Sequence, residues 1–362
     1  MESNTFGKMR KIRNISLLAV MTIFVLTSCE KVSPVGVLIA GTGVEDRVKM
    51  SHLYYKEHKG EYKGHVVPND EYTFLVGADS HMTNDAGRME EMLQNGLDHD
   101  DVLYAHLGDI ADTKAEYYIN LENVLDDYKL KYAKKNFDML YLGDVNNEKQ
   151  LEDYENYYVF IDKNNPDLYY SLDQIPYPFY PVVGNHDITH NGWALWSNIF
   201  HSSFYDVYVL VGGEDSGIYD HFIFLDTANG TLGREQINLI EEGVLDDKYL
   251  QEFGFYCRHT FVFSHTNIFR PSSLQFSSTF AREETFFLLD QFVEWKADIV
   301  FCGHVHKWDE HEVGGVQYIT LDTMSESNKP EPGDYLLRVH VKKDGTITWE
   351  RVHMNYTPKN KK

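Results

Sequence analysis

Five short polar blocks carry the side chains that could do chemistry in this chain: Asp79-Ser80-His81, Gly108-Asp109-Ile110-Ala111-Asp112, Gly184-Asn185-His186-Asp187, Ser264-His265 and Gly303-His304-Val305-His306. Each follows an apolar run of strand-like composition, at 73–76, 102–107, 179–183, 260–263 and 298–302. In an open α/β sheet the carboxyl ends of the strands form the crevice where ligands bind. Blocks far apart in sequence can therefore converge on one site. Their side chains are carboxylates, imidazoles and one amide, with no thiolate, a set suited to borderline or hard cations. They are too many for a single tetrahedral zinc. They suffice for two ions bridged by a carboxylate and a water. Such a pair, about 3.5–4 Å apart, clamps the attacking and leaving oxygens of an in-line phosphoryl displacement.

Taken singly, each block has an ordinary structural reading. A Gly-Asp pair is most often a turn, as at Leu142-Gly143-Asp144, and a histidine ending a strand, such as His265, is most often only hydrogen-bonded. Independent turns would not supply every ligand type in one order, so the five are read together.

In content and order the blocks resemble the calcineurin-like metallophosphoesterase family, from 73 to 354 with insertions. The resemblance implies a first ion held by Asp79, His81, Asp109 and His306. It implies a second held by Asp109, Asn185, His265 and His304, with Asp109 as the bridge. A hydroxide shared by the two ions would attack phosphorus, its pKa lowered by their charge. His186 would stand beside the scissile bond and stabilise or protonate the leaving oxygen. Asp112 would hydrogen-bond His186 and keep it oriented and cationic, and Asp187 resembles a further supporting group. Manganese, iron, zinc and magnesium all remain open as the divalent or di/trivalent pair. Purple acid phosphatases resemble this pattern but carry a tyrosine ligand after the Gly-Asp block. Here Thr113 follows Asp112 and no tyrosine occurs until Tyr117, which argues against a coloured tyrosinate–iron centre.

The elements that must position these groups alternate between strand and helix, as a layered α/β sheet requires. The family resemblance implies a two-sheet β-sandwich flanked by helices. The runs at 316–321, 335–341 and 347–352 are expected as strands of the second sheet, with Lys343-Asp344-Gly345 as a hairpin turn. A helix is expected from Leu232 to Leu245 after a strand at 222–226, and the Leu232-Gly233-Arg234-Glu235-Gln236 opening reads as structural. The segment 113–174 is an insertion with helical patterning at 115–133 and many tyrosines, among them Tyr154, Tyr157, Tyr158, Tyr169 and Tyr170. It reads as a lid over the substrate pocket or as peripheral helices whose tyrosines cover the sheet, with a carbohydrate-binding surface as a lesser third reading.

Lys8, Arg10, Lys11 and Arg13 precede an apolar run at 15–25 and then Leu26-Thr27-Ser28-Cys29. That order is a secretory signal, and the run is shorter than the roughly 20 apolar residues of a membrane-spanning helix. The Leu-Thr-Ser-Cys ending resembles the bacterial lipobox, which implies cleavage before Cys29 and lipidation of that residue. An ordinary signal peptide or a short anchor helix is the alternative. The expected organisation is a signal at 1–28, a tether at 29–70, the metallophosphoesterase domain at 71–356 and a basic tail at 357–362. Cys257 and Cys302 then remain, read as buried thiols, with a disulfide requiring suitable strand register.

Removing residues 1–28 takes four Lys/Arg and one Glu from the 33 and 56 of the whole chain, leaving a net charge of −26. That balance argues against a nucleic-acid groove. It also makes the protein repel anionic substrates at long range, so local cations must supply the attraction. Weaker candidates lie near the blocks. Arg270 could hold a phosphate oxygen or simply be solvated; His190, His201 and His311 read as ordinary histidines, His106 as a satisfied core histidine, and Arg282 and Trp193 have proximity alone. Two functions fit: an exported, lipid-anchored, metal-dependent hydrolase of a small phosphate mono- or diester, or a surface lipoprotein using the same fold as a binding scaffold. The presence of every expected ligand, with His186 and Asp112, favours the enzyme. The substrate itself is not legible.

Overall fold

Side chains alternate across a strand, so each strand must decide which face it buries. Along β2 (Tyr72–Gly77), Phe74 and Val76 point into one apolar cluster while Leu75 points into another. The same division runs through the protein, a computed structural model describing residues 43–58, 65–143, 147–163, 166–269, 280–324 and 335–355. Cys29, Arg270 and the basic tail lie outside the described residues.

Two sheets face each other. One has the order β15 (Ile347–His353), β14 (Tyr335–Val341), β2, β3 (Tyr104–His106), β7 (Phe179–Pro181). The other runs β1 (His65–Val67), β8 (Tyr205–Val211), β9 (Ile218–Phe224), β10 (Tyr256–Ser264), β11 (Ile299–Cys302), β13 (Val316–Thr320), β12 (Asp309–Val313). Between them lies an aromatic core in which Phe74 meets Phe222 and Phe261 edge to face at 5.2 and 5.0 Å, geometry that suits the ring quadrupoles. The outer face of the first sheet is covered by α2 (Gly87–Asp98), α3 (Ala115–Asn136) and α4 (Gly192–Phe200). The outer face of the second is covered by α1 (Val44–Glu57), α5 (Gly233–Glu241) and α6 (Arg282–Glu294). The chain is thus a two-sheet sandwich flanked by helices. No helix among the described residues is long and apolar enough to cross a membrane.

Four expectations need correction or completion. First, the runs at 316–321, 335–341 and 347–352 do not share a sheet. β13 pairs in parallel with β11, whereas β14 and β15 form an antiparallel hairpin against β2. The turn joining β14 to β15 is the expected Asp-Gly one, with Gly345 at φ 81°.

Second, the stretch 29–70, read as a tether, holds the helix α1 and the strand β1 among its described residues. Val44, Arg47, Val48, Ser51 and Tyr55 form a buried stripe along α1 at helical spacing. Arg47 donates to both oxygens of Asp226, at 2.9 and 2.8 Å, with both side chains fully buried. Glu45 accepts the N–H groups of Arg234 and Glu235 at the start of α5, satisfying donors that a helix leaves open.

Third, the insertion is not wholly helical. After α3 it forms a three-stranded sheet of β4 (Phe137–Tyr141), β5 (Tyr158–Asp162) and β6 (Tyr169–Tyr170). Tyr154, Tyr158 and Tyr170 pack with Phe137, Phe160 and Leu130 in a small core of their own, while Tyr169 is exposed. This sheet and its loops meet α3 from Lys129 onward, through Asp173 and Tyr154, about 20 Å or more along the axis from Ala115. Lys135 reaches Asp100 and the Leu97 carbonyl, where α2 ends and the chain turns toward β3. The described part of the small sheet therefore sits toward the amino ends of the strands.

Fourth, the thiols of Cys257 and Cys302 are free. Ser264 is the residue opposite Cys302 in the ladder, and Cys257 lies about 23 Å from it at the usual strand rise.

Candidate metal centre

All five blocks leave the carboxyl ends of parallel strands, but of two different sheets. β2, β3 and β7 are mutually parallel and deliver Asp79, His81, Asp109, Asp112, Asn185 and His186. β10 and β11 are parallel in the other sheet and deliver His265, His304 and His306. The centre therefore straddles the open edge of the sandwich. Cross-sheet bonds hold the halves together. His265 Nδ1–H donates to the Leu107 carbonyl at 2.7 Å, and the His304 N–H donates to Asp79 Oδ2 at 2.9 Å.

Three clusters of ligand-type atoms result among the described residues: His81, Asp112 and His186 form one, and the other two share Asp109. Of the two that share it, Asp79, His81, Asp109 and His306 form the first, and Asp109, His265 and His304 the second. In the first, His306 Nε2 stands 3.2 Å from Asp79 Oδ1 and 3.3 Å from His81 Nε2. In the second, His265 Nε2 stands 3.0 Å from Asn185 Oδ1, 3.1 Å from His304 Nδ1 and 3.6 Å from Asp109 Oδ1. Asp109 belongs to both: Oδ1 faces His265, and Oδ2 lies 3.8 Å from His81 Nε2. His265 donates from Nδ1 to the Leu107 carbonyl, which turns its Nε2 toward the centre. Lone-pair atoms crowded to these distances repel unless a proton or a cation lies among them. The donor chemistry, oxygen and imidazole nitrogen without sulfur, fits a borderline or hard cation.

Charge points the same way. Asp79 and Asp109 are buried, and the ion-pair partners found for them among the described residues are histidines. Burial alone would drive the Asp79 carboxyl up, but His306, then His265 and His81, hold it well below the usual carboxylate range. Asp109 is lowered in the same way, against burial, by His265, His186 and His81. Burial pulls His306 down, but Asp79 and Asp109 together raise it above the ordinary imidazole value. Imidazoles here stand where stronger cations would.

The backbone is strained at these positions. Asp79, His81, Asp109, His304 and His306 all take positive φ, from 41° to 69°, a region that non-glycine residues rarely occupy. Such strain persists only where surrounding contacts enforce it, and it clusters at functional sites. Two motif glycines permit the approach. A Cβ on Gly184 would collide with the backbone N and the carboxylate of Asp109, and one on Gly303 would lie 2.8 Å from Asp79 Oδ2.

Supporting groups surround the clusters. Asp112 Oδ1 lies 3.3 Å from His81 Nδ1 and 3.5 Å from His186 Nδ1, so it serves two rings where the sequence suggested one. Burial opposes its ionisation, yet hydrogen bonds from His186 and His81 hold it well below the usual range. Asp187 is fully buried and accepts from the N–H groups of Gly184 and Ile110 and from the Tyr118 hydroxyl. Burial and the neighbouring Asp109 push it up to about 7, against the hydrogen bonds from Gly184 and Tyr118. Tyr118 and Thr323, whose hydroxyl donates to the Asp79 carbonyl, escape a reading of motifs because neither sits in a block. The signal that could have found Tyr118 is the helical patterning at 115–133, in which it falls on the buried face.

His106 is half-satisfied: its Nε2 meets Ser80 Oγ at 3.0 Å, while its buried Nδ1 has no partner among the described residues. Burial pushes this ring down to about 3, so it is a neutral core histidine. His201 stacks on Tyr54 and His311 pairs with Asp309. His190 is exposed at φ 51°, while Trp193 is buried beside Trp196.

No protein-family model matches the chain, and no curated protein matches its sequence. Its similarities lie among solved structures and include calcineurin-like phosphoesterases. GAP50, the anchor in the inner membrane complex of Plasmodium, is 14% identical with a TM-score of 0.41, over 80% of this chain and 90% of that one. A dimetal phosphatase from Danio rerio is 11% identical with a TM-score of 0.37, over 74% and 95%. An archaeal phosphodiesterase is 9% identical with a TM-score of 0.34, over 77% and 99%. With identities and scores this low, it is the distances within the centre that carry its chemistry.

Proposed function

We propose that the protein is an exported, lipid-anchored, metal-dependent phosphoesterase that hydrolyses a small phosphate mono- or diester. The observation that carries this reading is the pair of ligand clusters sharing the single buried carboxylate of Asp109. Asp79, His81, Asp109 and His306 would hold one ion, and Asp109, Asn185, His265 and His304 the other. Two such ions, when bound, supply charge for the phosphoryl oxygens and a water acidic enough to be a nucleophile at neutral pH.

The protein's own residues do the rest. His265 is fixed in one tautomer by the Leu107 carbonyl, which keeps Nε2 directed at the centre. His186 is anchored twice, by its backbone N–H on Asp109 Oδ1 at 2.7 Å and by its ring Nδ1 near Asp112. Its Nε2 is the nitrogen that would pass a proton to the leaving oxygen, and the Asp112 carboxylate stabilises the charged ring that does so. The acidic balance of the chain supports a small ester over a nucleic acid, because a long polyanion is repelled by the far field. Export and lipidation rest on the basic-apolar-Leu-Thr-Ser-Cys order of residues 8–29.

The test is hydrolysis of para-nitrophenyl phosphate and bis-para-nitrophenyl phosphate by the full chain in detergent. It is assayed metal-free, then with manganese, zinc, iron or magnesium. Metal-dependent turnover is expected, and the preferred ester separates monoesterase from diesterase. Metal binding without turnover of either ester would favour the scaffold reading, and absence of metal binding would remove the centre. Labelling with radioactive palmitate in a bacterial host tests Cys29, with Cys29→Ser as the unlabelled control.

A further inference from the structure

We propose that Tyr118, on the inserted helix α3, is a positioning residue for the metal centre, acting through the carboxylate of Asp187. The inference rests on the metal-dependent reading above. Asp187 is fully buried. Its Oδ2 accepts the Gly184 N–H at 2.8 Å, and its Oδ1 accepts Ile110 N–H at 3.1 Å, Ala111 N–H at 3.4 Å and the Tyr118 hydroxyl at 2.9 Å. Ile110 directly follows the shared ligand Asp109, and Gly184 directly precedes the ligand Asn185. One carboxylate therefore sets the spacing between the loops that carry two ligands of the second cluster.

Three of those four donors belong to the two loops. Tyr118 is the one that comes from outside them among the described residues. Its ring is buried with Ile110, Ala111, Ile188 and Trp193, so packing fixes where the hydroxyl lies. Tyr118 also starts the stripe of Tyr118, Leu121, Leu125 and Tyr128 that seats α3 on the sheet, at the spacing of one helix face. The first turn of the insertion thus braces the centre, although its small sheet lies remote from it. Hydrogen-bonded groups behind metal ligands commonly set metal affinity by about 10–100-fold.

The experiment compares full-length wild type, Tyr118→Phe and Tyr117→Phe by cobalt titration, followed by visible absorption. Tyr117 is the control because its hydroxyl bonds Lys114 and lies outside the Asp187 donor set. Tyr118→Phe is expected to weaken one of two cobalt ions about tenfold and to change the absorption of the loaded protein. Tyr117→Phe is expected to match wild type in both. A purely structural role would lower thermal stability without altering the absorption. Wild-type affinity and absorption in Tyr118→Phe, or equal shifts in both variants, would overturn the inference. If Tyr118→Phe does not fold, Asp187→Asn goes into the same titration, and wild-type behaviour there overturns it too. A wild type that takes up no cobalt defeats the metal-centre reading and this one with it. A wild type that takes up two, with an indistinguishable Tyr118→Phe, defeats this one alone.

Discussion

The Asp109 carboxylate accepts the backbone N–H of His186 at 2.7 Å, so the residue shared by both clusters also fixes the loop that carries the proposed proton donor. Asp109→Asn separates these roles. An asparagine oxygen can still accept that N–H, and asparagine tolerates the left-handed backbone at this position. What is lost is the charge and one of the two oxygens that face the clusters. Because metal charge is worth several kcal/mol to the transition state, turnover is expected to fall by about a thousandfold or more. Circular dichroism should be unchanged. Steady-state kinetics beside a measured metal content checks this, and near-wild-type turnover would contradict the shared-ligand role.

Gly184→Ala is expected to damage the centre from the backbone side. Its Cβ would press on the Asp109 main chain and carboxylate, and overpacking of this kind costs about 1–3 kcal/mol. Urea denaturation of the metal-free protein should show the loss, and metal affinity should fall with it. An alanine variant that keeps both would mean the loops move apart freely.

Arg47→Ala tests whether the N-terminal helix belongs to the fold. Removing one partner of a buried ion pair leaves the other uncompensated, at a cost of about 3–5 kcal/mol. The paired replacement Arg47→Met with Asp226→Leu is expected to recover much of that loss. Denaturation midpoints for the two variants decide it. Equal loss in both would assign the effect to packing alone.

Acid sensitivity is expected from Asp206, which accepts from the Tyr55 and Tyr208 hydroxyls and from His221 Nε2. Burial opposes its ionisation, but the His221 and tyrosine hydrogen bonds leave its folded pKa below the ordinary value. A depressed folded pKa contributes stability that is present above the unfolded value of about 3.9 and is lost as the pH falls through the folded one. Stability should therefore drop as the medium is acidified below about pH 4. In Asp206→Asn this part of the pH dependence should be absent. Denaturation midpoints from pH 6 down to 3 for both proteins measure the difference, and parallel curves would assign the acid sensitivity elsewhere.

Much of the site's layout was legible because polar blocks after apolar runs can only lie at strand ends, and the structure draws those blocks to one edge. What the runs do not encode is partnership. Val316–Thr320 and Tyr335–Val341 look alike as apolar stretches, yet they belong to opposite sheets, since register depends on neighbours outside the run. Helix α1 escaped for a similar reason. Arg47 reads as solvated until Asp226, distant in sequence, is brought against it. The left-handed backbone at Asp79, His81, Asp109, His304 and His306 carried only a weak signal, because aspartate and histidine enter that region more readily than other non-glycine residues yet seldom do so.

The division of ligands between the two sheets has a mechanical consequence. Three blocks ride on one sheet and two on the other, so the centre exists only while the sheets hold their relative registry. A bound ion would then act as a rivet through the sandwich, and sliding of one sheet over the other would have to break it. Ligand present at a hundred times its dissociation constant stabilises a fold by about 2.7 kcal/mol, and here that energy would resist shear between layers more than fraying of any single strand. Chelation should accordingly raise hydrogen exchange across the interface between the sheets, far from the loops that touch the metal.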